Sequence, residues 1–153
     1  MKPSLLERTQ LLPIPIETAW EFFSDPRNLP LITPPDLGFS ITSAVPERMY
    51  AGMVVSYTVT PFGSFKVDWT TEITHVQEPA FFVDEQRFGP YRFWHHQHRF
   101  RTVPGGTEMT DLVHYLLPFP PFGQLAAGFV RGRLERIFSF RQQTLEQLFG
   151  RPS

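Results

Sequence analysis

Cysteine is absent from the 153 residues, which excludes disulfides, thiolate catalysis and cysteine-held metals together. No apolar stretch approaches the roughly 18 residues expected of a membrane-spanning helix. No basic leader with an apolar run and a cleavage site precedes Leu5, so the expected location is the cytoplasm. An excess of charge is missing too: the formal net charge is -1, and the 14 Lys and Arg residues are scattered rather than gathered into a stripe. Nucleic acid is therefore not an expected partner, and membrane contact is expected to be transient at most. The glycine patterns that cradle phosphates do not occur, so Gly105-Gly106 reads as a turn. No serine stands in a strand-to-helix nucleophile elbow either. With no cysteine and no serine in such an elbow, the chemistry left to expect is acid–base work.

Aromatic side chains and proline are abundant, with 16 Phe, 3 Trp, 4 Tyr and 16 Pro. Bulky rings either fill a core or line a cavity, and composition does not choose between the two. The length fits one domain, residues 1–153, with one substantial core. No linker, repeat or low-complexity segment divides it, and no feature specifies an oligomeric state.

Phe122 to Phe149 is the organising stretch. Phe122, Leu125, Ala126, Phe129, Leu134, Ile137, Phe140, Arg141, Leu145 and Leu148 recur at helical spacing. A helix of that length spans about 40 Å, too long to be buried on one neighbouring helix, so it needs a sheet. Gly128 and Gly132 within it either admit a close strand or a bend, or are simply tolerated. Upstream, Leu5 to Leu12 reads as a strand, and Pro15 opens a helix carrying Ile16, Ala19, Trp20, Phe22 and Phe23. Asn28 to Ile32 reads as a second short helical piece, and Phe39 to Val45 as a strand. Met53, Val55, Tyr57 and Val59 alternate, as do Phe65, Val67, Trp69, Thr71 and Ile73. Strands follow at Phe81 to Arg87, Tyr91 to Val103 and Thr107 to Leu117, separated by Gly89-Pro90 and Pro104-Gly105-Gly106. The expected class is α+β, a curved seven-stranded antiparallel sheet around the final helix.

The order of elements and several local runs resemble the START/Bet v1-like helix-grip (SRPBCC) superfamily. Within it the likeness is to the bacterial polyketide cyclase/dehydrase-like and coenzyme Q-binding-like group. The matching runs are Pro15 to Pro26, Asn28 to Pro35, Trp94 to Phe100 with its alternating histidines, Gly106-Thr107 with Asp111, and the closing helix from Arg133 to Gly150. The resemblance implies a cavity between sheet and C-terminal helix holding a small hydrophobic molecule such as a lipid, an isoprenoid or an aromatic polyketide. It implies no transferable catalytic set and no cofactor.

Strand parity gathers one polar constellation. If a two-residue loop follows Val103 or Pro104, then Trp94, His96, His98 and Phe100 share a face with Met109, Asp111, Val113, Tyr115 and Leu117. If Gly89-Pro90 is also a two-residue loop, Phe81, Val83, Glu85 and Arg87 join them. Tyr57, Trp69 and Phe129 complete the candidate cavity lining. Three readings of the polar members stand side by side: a self-satisfied network, polar anchors for an apolar ligand, and acid–base catalysis by His96 or His98 with Asp111 or Glu85. The catalytic version corresponds to a cyclase, aromatase or hydrolase, and a regulatory interaction domain with a filled interior is a further alternative. A metal on His96, His98 and Asp111 lacks a constrained third ligand, so none is expected. His75 and His114 fall on the opposite parity, and His114 is expected to be exposed. Arg131, Arg133, Arg136 and Arg141 give the last helix a basic, solvated side. The segments Pro46 to Gly52 and Pro118 to Phe122 are expected to rim the cavity.

Overall fold

Proline supplies no backbone donor to a strand ladder but suits the opening turn of a helix, so Pro13 and Pro15 separate the first two elements. In the computed structural model, which describes residues 2–119 and 122–153, β1 spans Ser4–Leu12 and α1 spans Ile16–Phe23. α1 buries Ala19, Trp20 and Phe23 on its apolar side. Two 3₁₀ segments follow, Pro26–Ile32 and Pro35–Leu37. The first takes the place of the expected short helix. Pro30 inside it cannot donate an α-helical bond, and the Asp25 carboxylate accepts from the Arg27 N–H at 3.0 Å to start the turn.

The remaining strands are β2 (Ser40–Ile41), β3 (Met53–Phe62), β4 (Phe65–Gln77), β5 (Phe81–Phe88), β6 (Phe93–Val103) and β7 (Gly106–Leu116). All seven join one curved antiparallel sheet in the order β1-β7-β6-β5-β4-β3-β2, and α2 (Phe122–Phe149) packs on its inner face. This is the expected helix-grip architecture. β2 is shorter than the expected Phe39 to Val45. The Ser56 carbonyl takes the N–H groups of both Thr42 and Ser43, and the Ser43 hydroxyl accepts from the Ser56 N–H, so side chain replaces ladder there. Irregular pairings interrupt the β3–β4 and β4–β5 ladders. Bulges of this kind bend a sheet, which suits one that must curve around a helix.

The buried line of α2 is Val130, Leu134, Phe138, Arg141 and Leu145. It is rotated from the expected stripe: Leu125, Phe129 and Leu148 are exposed, Phe129 at 59%. Two overlapping apolar stripes run along this helix, and the sheet accepts the one that seats Phe138 beside the polar strand positions. Gly128 and Gly132 are exposed with open space where a Cβ would stand, so no strand approaches them. Among the described residues no helix is long and apolar enough to cross a membrane.

The β6–β7 register matches a two-residue Pro104-Gly105 loop, with Trp94 opposite Tyr115 and His98 opposite Asp111. The β5–β6 register does not follow the expected one. Phe82 pairs with His98 and Asp84 with His96, so even positions of β5 face inward. Carried to the end of β5, this register sets Phe88 level with Arg92, so the turn Gly89-Pro90-Tyr91 is one residue longer than the expected two. The Gln86 amide clamps it, donating to the Tyr91 carbonyl at 2.6 Å and accepting from the Tyr91 N–H at 3.0 Å. A one-residue slip transfers every side chain of a strand to the other face. Phe81, Val83, Glu85 and Arg87 therefore lie on the outer face, against expectation, and Phe82, Asp84 and Gln86 replace them.

Gly106 lies at φ 149°, and a Cβ there would stand 2.0 Å from the Leu12 carbonyl oxygen. We expect Gly106→Ala to destabilise the fold by about 2 kcal/mol or more in urea unfolding, because backbone blocks the new atom. Gly128→Ala and Gly132→Ala, on open helix surface, should each stabilise it by about 0.5–1 kcal/mol in the same measurement.

Candidate functional site

Three adjacent strands each deliver polar side chains to the inner face: Asp84 from β5, His96 and His98 from β6, and Asp111 from β7. α2 contributes Arg141 from above. His96, His98, Asp111 and Arg141 are buried, so each polar atom has to find its partner within the group. His96 Nε2 lies 2.7 Å from Asp111 Oδ1, and His98 Nε2 lies 2.5 Å from Asp84 Oδ2. The second nitrogens face the opposite carboxylates at longer range: His96 Nδ1 is 3.6 Å from Asp84 Oδ2, and His98 Nδ1 is 3.5 Å from Asp111 Oδ1. Arg141 completes the group, its Nη1 3.6 Å from Asp111 Oδ1.

Aromatic packing fixes these rings in place. His96 and His98 stack at 3.7 Å between centroids, and Phe82 stacks on the far side of His98 at 4.1 Å. Phe138 meets His96 edge-on at 5.9 Å and carries the Arg141 guanidinium over its face at 4.9 Å. Burial alone would raise the Asp111 carboxyl, but the His96 hydrogen bond and the electrostatic influence of His96 and Arg141 bring it down to about 2. Asp84 follows the same balance: burial opposes its ionised form, and His96 and His98 outweigh burial, so it too lies below the usual carboxylate range. His98 is pushed below the ordinary imidazole value by burial and by the neighbouring His96, with Asp84 opposing. The site thus holds two carboxylates, one guanidinium and a histidine that favours its neutral form.

The network borders a cavity of about 190 Å³ between the sheet and α2. Asp84, His96, His98 and Arg141 contribute to its wall, but most of the wall is apolar: Phe82, Trp69, Trp94, Tyr57, Val55, Val59, Ile73, Leu134, Ile137 and Phe138, with Leu29, Ile32 and Leu37 from the 3₁₀ segments. Burial holds the Tyr57 phenol well above its ordinary value, and the Tyr91 phenol is raised for the same reason. Among the described residues, three buried polar atoms of the wall have no hydrogen-bond partner: Trp69 Nε1, His98 Nδ1 and Arg141 Nε.

Of the residues expected to line the cavity, Tyr57, Trp69, Trp94, His96 and His98 do so. Phe100 is buried beside Trp20, Phe23 and Phe82, and Tyr115 beside Trp94 and Tyr91, both away from the cavity wall. Asp111 sits behind His96. Phe81, Val83, Glu85 and Arg87 face outward, where Glu85 approaches His95 and Arg87 pairs with Glu72. Phe129 is exposed on α2, near the Arg133 guanidinium. His75 is exposed, whereas His114, expected to be exposed, is half-buried on the outer face opposite His95. Met49 of the Pro46 to Gly52 loop reaches the cavity. In the segment from Pro118 to Phe122, the expected rim falls partly on Pro120 and Pro121, which lie outside the described residues.

Sequence reasoning missed Asp84 and Phe82, and assigned Arg141 to a solvated face. The run Phe81-Phe82-Val83-Asp84 offers a plausible apolar residue on either parity, so alternation alone does not decide it. The deciding signal is the Gln86 clamp on Tyr91, which makes the turn one residue longer. For Arg141, the signal was its recurrence at the same helical spacing as Leu134, Phe138 and Leu145.

Residues 12–139 match the sequence profile of the family described as polyketide cyclase / dehydrase and lipid transport. No curated protein sequence matches the chain. Among solved structures it is similar to protein Ms6760 from Mycobacterium smegmatis, with 22% identity, a TM-score of 0.65, and coverage of 94% of this chain and 89% of that one. CV1439 from Chromobacterium violaceum is similar at 12% identity and a TM-score of 0.72, with 95% and 96% covered. The Zhui aromatase/cyclase from a Streptomyces species is similar at 16% identity and a TM-score of 0.72, with 94% and 91% covered. At these identities the likeness is one of fold.

We expect Asp111→Ala to cost about 3–5 kcal/mol in chemical denaturation, since it leaves Arg141 and His96 buried without their carboxylate. Glu85→Gln on the outer face should stay within about 0.5 kcal/mol of the parent protein. Equal losses from the two substitutions would contradict the observed register.

Proposed function

From a chain that belongs to the polyketide cyclase/dehydrase and lipid transport family, we propose a protein that binds one small, largely apolar molecule between its sheet and α2, with the molecule's polar end turned to Asp84 and His98. The observation that carries this reading is the cavity of about 190 Å³, apolar over most of its wall, with Asp84, His96, His98 and Arg141 gathered together in it. An apolar cavity of about 150 Å³ takes up benzene, so this one suits a compound of one or two rings, or a short isoprenoid or acyl segment, as it stands. The void also speaks against an interior simply packed with the 16 phenylalanines, as an interaction domain would have.

Trp69 and Trp94 in the wall supply a direct readout. Titration with a naphthalene-type fluorescent probe should quench their emission saturably at one molecule per chain, and native mass spectrometry of the purified protein should reveal any copurified compound. Val59→Phe, which fills the cavity from its wall, should abolish uptake while the protein stays folded. Retention of full binding by that variant would overturn the assignment of the site.

A second reading, a cyclase-like enzyme, is favoured by one observation: His98, an imidazole of the cavity wall, is oriented by its 2.5 Å hydrogen bond to Asp84, a pairing suited to proton transfer. The two readings separate once the natural compound is extracted. Under the binding reading, His96→Ala weakens affinity for it by about 1–3 kcal/mol, and the wild type leaves the compound chemically unchanged. A folded His98→Ala variant that binds normally yet loses a conversion carried out by the wild type would establish the enzyme.

A further inference from the structure

We propose that Asp84, His96 and His98 form a site for one divalent transition-metal ion, open on its remaining side to the cavity. One donor atom from each residue falls within a cluster whose members all lie within 4.8 Å of one another. The third ligand missing from the sequence pattern is supplied by the one-residue register of β5, which puts Asp84 opposite His96. Asp111, the third ligand the sequence suggested, has a different place.

The arrangement of the four ring nitrogens carries the argument. Each histidine turns one nitrogen to Asp111 and the other to Asp84. On the Asp111 side the distances are 2.7 Å from His96 Nε2 and 3.5 Å from His98 Nδ1. On the Asp84 side they are 3.6 Å from His96 Nδ1 and 2.5 Å from His98 Nε2. When His96 donates its Nε2 proton to Asp111, its Nδ1 lone pair faces the Asp84 carboxylate with nothing between them. Two electron-rich atoms so placed in a buried site call for a cation. The His98 Nδ1, buried and without a partner, marks the same deficit.

A metal ion between Asp84 and the two facing nitrogens meets both needs. His98 gives up the Nε2 proton now shared with Asp84, and its Nδ1 then carries the proton toward Asp111. Asp111 becomes the outer carboxylate of both histidines, held in turn by Arg141. Ligating histidines characteristically donate their second nitrogen to a carboxylate in this way, which fixes the tautomer and raises ligand basicity. Two imidazoles and one carboxylate, with no thiolate, fit zinc or iron(II) rather than calcium or magnesium. Three protein ligands leave at least one coordination position for water or a polar ligand atom. The two rings now stack at 3.7 Å with 28° between planes, so binding requires them to swing apart until each lone pair points at the ion.

The test uses the full chain, produced without an affinity tag, stripped with chelator and titrated with Co²⁺ and then Zn²⁺. We expect one equivalent of Co²⁺ to produce the intense visible bands of a low-coordinate nitrogen–oxygen site, Zn²⁺ to displace it, and the Tm to rise with either ion. Asp84→Asn and His98→Gln, checked for folding by circular dichroism, should each weaken binding at least tenfold. His95→Gln and His114→Gln, on the outer face, should leave it unchanged. Absence of a saturable one-equivalent site in the wild type overturns the proposal and leaves a proton as the cation of the network. Undiminished binding by folded Asp84→Asn and His98→Gln overturns it equally, assigning the metal to surface histidines. Probe uptake by the cavity of the wild type is measured separately on metal-free protein, so failure of the metal site and failure of the ligand-binding reading, which share Asp84 and His98, are told apart.

Discussion

Water cannot reach most of the polar atoms that β5, β6, β7 and α2 bring together, so those atoms must satisfy one another, and this constraint governs the interior. An unpaired buried polar group costs about 1–3 kcal/mol, and an unpaired charge costs more. Asp111 is the hinge of the solution, because it answers His96 and Arg141 at once. The rotation of α2 follows from it: the helix must present Arg141 to the sheet, and the stripe that does so also seats Phe138 and Leu145. The register of β5 follows in the same way, since the alternative pairing would bury Glu85 and Arg87 and leave His98 without Asp84.

The architecture was legible in the sequence because its signals are long and redundant. Alternation over β3 and β4, paired turns around β6 and β7, and helical spacing across α2 all point to one antiparallel sheet wrapped on one helix. Half of the candidate site was legible too, since Pro104-Gly105 sets the β6–β7 register and brings His96, His98 and Asp111 to one face. The rest hung on single residues. One extra position in the Gly89 to Arg92 turn decides between Asp84 and Glu85, and composition gives no warning of it. The outward position of Phe129 has a similar origin, because Phe129 and Val130 are both apolar and only the sheet chooses between them. Long patterns average over such choices, whereas a site is made of them.

The aromatic excess resolves into a mutual scaffold. Trp69 stacks on Tyr57 and meets Trp94 and Tyr91 edge-on, while Trp20 meets Phe82 and Phe100 edge-on. Rings braced in this manner hold their positions without filling the space between them. A cavity lined by them can therefore persist where aliphatic side chains would collapse into it.

The pairing of the first strand with the last has a temporal consequence. β1 is made before the other strands of the sheet, yet among the described residues its ladder partner is β7, about a hundred residues further along the chain. Closing so long a loop is entropically unfavourable until the intervening hairpins have formed, so the N-terminal strand waits for most of the meander. α2 emerges later still. The enclosed chamber and its polar wall are thus assembled only once the meander has formed, and any molecule or ion destined for the interior meets a sheet whose hairpins already stand in register.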